Sequence, residues 1–110
     1  MIEETIARIE SRLRSSENLT DERRRELLEL LARLKEEVDT LSETHSEDAH
    51  SIAGYTETSI REATRDEVNP ELLRHSIEGL SLSAKSFEVS HPVLTGLINT
   101  IGRILWNLGI

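Results

Sequence analysis

The chain has 110 residues, 36% of them hydrophobic with one Phe, one Tyr and one Trp, and its 21 acidic and 13 basic side chains leave a formal charge of −8. That charge repels phosphate backbones and argues against nucleic-acid binding without a localised basic face, and the absence of cysteine excludes disulfides, thiolate chemistry and finger-type zinc sites. The length fits one domain, but the apolar supply is thin, which predicts an elongated or oligomeric helical protein over a self-sufficient globule.

The opening MIEETIARIE is amphipathic and acidic. It lacks a basic segment followed by an apolar one, so no signal peptide and a cytoplasmic location are expected. Ile2, Ile6, Ile9 and Leu13 recur every three or four residues and predict a helix from Ile2 to Arg14. SSENLT interrupts it, and Thr20 is placed as N-cap of a second helix, with Asp21 and Glu22 facing the positive end of its dipole. The seam of that helix, over residues 21–44, is Leu27, Leu31, Leu34, Val38 and Leu41, widened by Leu28 and Leu30. Arg23-Arg24-Arg25 is hemmed in by acids and reads as a solvated face, with Asp21 to Arg25 and Glu29 to Arg33 as i,i+4 pairs. Two matching stripes across so short a connection predict an antiparallel hairpin.

Carried forward, the same phase would place His45 and Asp48 in the core, so a break is expected near Thr44, where Thr44-His45-Ser46-Glu47 has capping-box residue types. Residues 46–68 read as a weaker central helix with Ile52, Tyr55, Ile60 and Ala63 as a ragged apolar face. Asn69-Pro70-Glu71 combines an N-cap, a proline at the first helical position and an acid in the first turn. A helix from Pro70 follows, with the stripe Leu73, Ile77, Leu80, Ala84 and Phe87. Leu80-Ser81-Leu82-Ser83-Ala84 also alternates like a strand, but no second strand is there to pair with it. Pro92 disfavours helix at His91, so this helix should end or kink there and a last one begin with Ser90 as N-cap. That tail has one apolar face, Val93, Leu94, Leu97, Ile98, Ile101, Ile104, Leu105 and Leu108. The opposite face is of small or neutral residues with Arg103 as its one charge.

The expected fold is therefore all-α: one domain over residues 1–110, with a hairpin (1–45), a variable middle (46–69) and a C-terminal helical region (70–110) completing a small bundle. Phe87-Glu88-Val89-Ser90-His91-Pro92 and the closing Leu108-Gly109-Ile110, together with the LTDERRRELLELLARL hairpin, resemble a family of short bacterial proteins known as domain of unknown function 4404. The resemblance covers roughly residues 1–45 and 80–110, and the middle looks longer than in typical members. It implies a helical bacterial protein and no chemistry.

Glu47-x-x-His50 and Glu88-x-x-His91 have the spacing of di-iron carboxylate bundles, but Glu fills 17 of 110 positions and Pro92 breaks the helical turn that the second pair needs. His45 and His50 are five apart, the wrong spacing for one helix face. With no Gly-x-Ser-x-Gly elbow and no glycine-rich phosphate loop, no catalytic residue, metal or cofactor is expected. The candidate site is an interface on the tail: Leu94, Thr95, Ile98, Gly102, Leu105, Trp106 and Gly109. Thr95, Gly102 and Gly109 recur at seven-residue spacing and would let another helix approach closely beside Trp106. The expected partner is a second copy in a homo-oligomer, or another protein. A membrane-surface helix over residues 92–110 is the weaker alternative, because its polar face offers only Arg103, and Asn99, Arg103 and Asn107 weigh against a spanning helix.

Overall fold

The structure, a computed structural model, describes residues 2–110. Its helices are α1 (Ile2–Ser15), α2 (Asp21–Ser42), α3 (Ser46–Ala63), α4 (Pro70–Ala84) and α5 (Pro92–Gly109), with a 3₁₀ turn at Lys85–Phe87 and no strand among the described residues. Ile2, Ile6, Ile9 and Leu13 of α1 and Leu27, Leu31, Leu34, Val38 and Leu41 of α2 are buried, as their spacing predicts. Ile2 lines the same recess as Asp39 and Ser42, so α1 and α2 run antiparallel.

Local chemistry sets the helix starts. Thr20 Oγ1 accepts from the Arg23 amide at 3.1 Å, and Asn69 Oδ1 accepts from the Glu71 and Leu72 amides at 3.0 and 3.2 Å. The expected capping box at Thr44 does not form. α3 starts one residue later, with His45 at the cap position making no side-chain cap bond, and Thr44 Oγ1 turns to His45 Nδ1 at 2.8 Å instead. Ser90 likewise is not the cap of α5: His91 holds that position, and Ser90 Oγ lies 2.9 Å from its Nδ1. α4 also stops earlier than expected, at Ala84, where the chain tightens into the 3₁₀ turn that buries Phe87.

Arg24 departs most from the solvated reading of the arginine run. Its guanidinium donates to the Leu13 carbonyl, to Ser16 O at 2.9 Å and to Leu19 O at 3.1 Å, closing the C-terminal end of α1 and its loop. Among the described residues, the ion pair made in this run is Arg23 with Glu26 at 2.6 Å, in place of Asp21–Arg25 and Glu29–Arg33. Asn18 ties the same loop to α3, donating to Thr64 O and Arg65 O at 3.1 and 3.3 Å.

α3 is the hub, packing against all four other helices, whereas α1 touches only α2 and α3. Arg8 pairs with Glu57 and Arg12 with Thr64, so α1 and α3 are parallel. Gly102 lies beside Ile77 and Gly109 beside Leu73, which sets α5 antiparallel to α4. The result is an up-and-down bundle in two layers, α1–α3–α4 over α2–α5.

The buried face of α3 is Ala49, Ile52, Ala53, Thr56, Ser59, Ile60 and Ala63. Small side chains let four helices crowd one, and Tyr55, expected inside, is exposed. This hub overturns the expectation of an elongated shape. The radius of gyration is 12.9 Å and the extents are 37 × 24 × 21 Å. A compact chain of this length has a radius of about 13 Å.

Candidate interaction surface

The apolar face of α5 is used inside the chain. Leu94, Leu97, Ile98, Ile101, Ile104 and Leu105 are buried against α2, α3 and α4. Of the seven residues expected to form an interface, Leu94, Ile98, Gly102 and Leu105 are therefore core, Thr95 and Gly109 are half-buried, and Trp106 stands at the surface, 37% exposed.

The close helix approach expected at the small residues does occur, but the approaching helix is α4 of the same chain. A Cβ at Gly102 would lie 3.2 Å from Ile77 Cγ2, and one at Gly109 would run into Leu73. Gly96, one turn from the start of α5, is different: a Cβ there meets nothing within 4 Å.

What remains open on α5 is an outward seam, Pro92, Gly96, Asn99, Arg103, Trp106 and Ile110, spaced four, three, four, three, four. Beside it runs a groove against α4, whose walls include Ile77, Ser81, Asn99, Arg103 and Trp106. It continues past Leu82 towards Lys85 and Glu88. Gly96, Asn99, Arg103 and Trp106 of this seam were legible in the sequence as part of the side of the tail helix opposite its apolar face, where Arg103 is the one charge. The α4 half of the groove, Ile77, Ser81 and Leu82, was missed, because the pairing of the two helices had to be known first.

Charge separates this face from the rest. Residues 70–110 carry Glu71, Glu78 and Glu88 against Arg74, Lys85 and Arg103, so the whole surplus of −8 lies in residues 1–69. Six of the seven exposed large apolar residues, Leu72, Leu82, Val89, Val93, Trp106 and Ile110, fall in the same neutral region.

Three of the four histidines make local structural contacts. Phe87 receives His45 and His91 edge-on, with ring centroids 5.2 and 5.6 Å away, and so joins the α2–α3 turn to the start of α5. His50 Nδ1 lies 2.7 Å from Ser46 O, and Glu88 sits in the turn before α5, outside any helix it could share with His91. No three described His, Asp and Glu side chains gather into a group that could hold a metal ion. Among the described side chains, the one clearly lowered carboxyl is Glu57, held below the usual carboxylate value by a hydrogen bond from Arg8 at 2.7 Å; burial opposes this, and the charges of Arg8 and Arg61 add to it. That pair clamps α1 to α3, away from the α4–α5 groove.

No helix among the described residues is long and apolar enough to cross a membrane. Neither the curated proteins nor the solved structures contain a match to this chain. A family model described as Domain of unknown function (DUF4404) matches residues 27–110, running through the middle segment that the resemblance set aside, and the chain belongs to that family.

Proposed function

We propose that this protein is a non-catalytic protein-interaction module of the cytoplasm that docks its partner on the outer face of α4 and α5. The observation that carries this reading is the coincidence of electrical neutrality and exposed apolar side chains on residues 70–110 of an otherwise acidic chain. Interface cores are depleted of charged residues and enriched in aromatic ones. A surface that only has to stay dissolved is better served by charge. The membrane-surface alternative has less support, since α5 would have to withdraw Leu94, Ile98 and Leu105 from the bundle, at about 1.5–3 kcal/mol for each.

A photo-crosslinking residue placed at Asn99, on this face, and at Glu36, exposed on α2, tests the proposal in living cells. Protein adducts should form from position 99 and not from position 36. Equal yields at both positions, or none at position 99, would refute it.

A further inference from the structure

We infer that the partner on the α4–α5 face is a second copy of this chain, docked about a twofold axis near Asn99 with the two α5 helices antiparallel. This rests on the reading of that face as a docking surface. Charge is the first argument. Each copy carries −8, and most orientations would bring two acidic surfaces together within the roughly 8 Å over which charges act at physiological salt. Contact through residues 70–110 instead brings together segments that each hold three acids and three bases.

The seam supplies the second argument, because its ends match when it is reversed. Asn99 is seven residues from both Pro92 and Trp106, which is about 10.5 Å along the helix in either direction. A twofold axis at Asn99 therefore sets Trp106 on the partner's Pro92 and Val93, both exposed in the single chain. It passes Arg103 over the partner's Thr95 and Gly96, where the bare backbone leaves room for the arginine stem. At the centre Asn99 meets the partner's Asn99, and an amide is self-complementary, carrying both donor and acceptor.

The size approaches that of a standard interface. α5 has 18 residues, about 27 Å, and with α4 beside it the face is roughly 20 Å wide. A standard interface takes about 800 Å² from each partner. That is roughly an eighth of the 6492 Å² surface of this chain.

Gly96→Leu separates the dimer from the fold, since its Cβ would meet nothing within 4 Å in the single chain and a leucine favours helix. Sedimentation of the full chain from micromolar to millimolar concentration should show wild type rising from 12.5 kDa towards twice that mass. G96L should stay at 12.5 kDa with unchanged circular dichroism. Trp106 emission of wild type should shift to the red on dilution, and that of G96L should not depend on concentration. A wild type that remains at 12.5 kDa throughout, or a G96L protein that dimerises equally well, overturns the inference. If wild type is monomeric while the crosslinker at position 99 captures a different protein, the second copy is wrong and the docking face stands; if position 99 captures nothing, both fall. Monomeric wild type that co-sediments with anionic phospholipid vesicles also overturns the inference, in favour of a membrane surface.

Discussion

Ser59 is fully buried in α3, and its hydroxyl has no hydrogen-bond partner among the described residues. Replacing it with alanine should stabilise the protein. An unpaired buried polar group costs about 1–3 kcal/mol, and alanine adds up to about 0.5 kcal/mol of helix propensity. The opposing term is the void left by one oxygen, on the order of 15 Å³, which at about 24 cal/mol per Å³ removes roughly 0.4 kcal/mol. The net expectation is a gain of about 1–3 kcal/mol, or a rise in Tm of about 4 °C or more. Thr56→Ala is the matched control: the Thr56 hydroxyl donates to Ile52 O at 2.8 Å, so its loss should destabilise by about 1 kcal/mol. Urea denaturation of the three proteins, with the slope unchanged, gives both numbers. A Ser59→Ala protein that loses 0.5 kcal/mol or more, on the order of the void term alone, would mean that the hydroxyl has a partner in solution and would refute the reasoning.

Glu57 should make stability depend on pH in a defined direction. Its carboxyl is held low in the folded protein by the Arg8 hydrogen bond, so its contribution is complete above the unfolded value and is lost as pH falls through the folded value. The gap between wild type and Glu57→Gln in urea should be widest near neutrality and close below about pH 4; a gap that widens in acid would count against the pair. Two glycines should respond with opposite signs to alanine. Gly54 has open space around it inside α3, so Gly54→Ala should gain about 0.5–1 kcal/mol. Gly79→Ala would put a Cβ 2.5 Å from Tyr55 Cε1 and should lose stability, recovering it in a Tyr55→Ala background. A Gly79→Ala protein as stable as wild type would show that the ring moves aside freely.

The parts of the fold legible in the sequence are those set by neighbouring residues. Ile2 to Leu13 and Leu27 to Leu41 mark their buried faces by large side chains at helical spacing, and Thr20 and Asn69 announce helix starts through bonds made within three residues. α3 was obscure for the opposite reason. Apart from Ile52 and Ile60 its buried face is alanine, serine and threonine, which hydropathy barely separates from a surface, and the crowding of four helices explains why large side chains are so few there. The same blindness affected the candidate interface. Leu94, Ile98 and Leu105 formed a plain apolar face in the sequence, but whether another helix of this chain or another molecule covers it is a question of tertiary pairing. Trp106 and the outward seam survive at the surface because α4 takes the glycine edge of α5 and leaves the next edge open.

The two-layer order of the helices bears on how the chain assembles. Every packed helix pair except α2–α5 is separated by no more than one intervening helix, so nearly all contacts can form as each segment follows the last. Such topologies fold fast, in microseconds to milliseconds, because little chain entropy is lost before contacts reward it. α1 and α2 can close on each other first, α3 can settle on both, and α4 can then fold back on α3. The α2–α5 contact must wait for the end of the chain. Phe87, seated between His45 and His91, joins the two turns at that last junction, and a chain lacking that ring should complete its first four helices at normal speed and slow only at the final docking of α5.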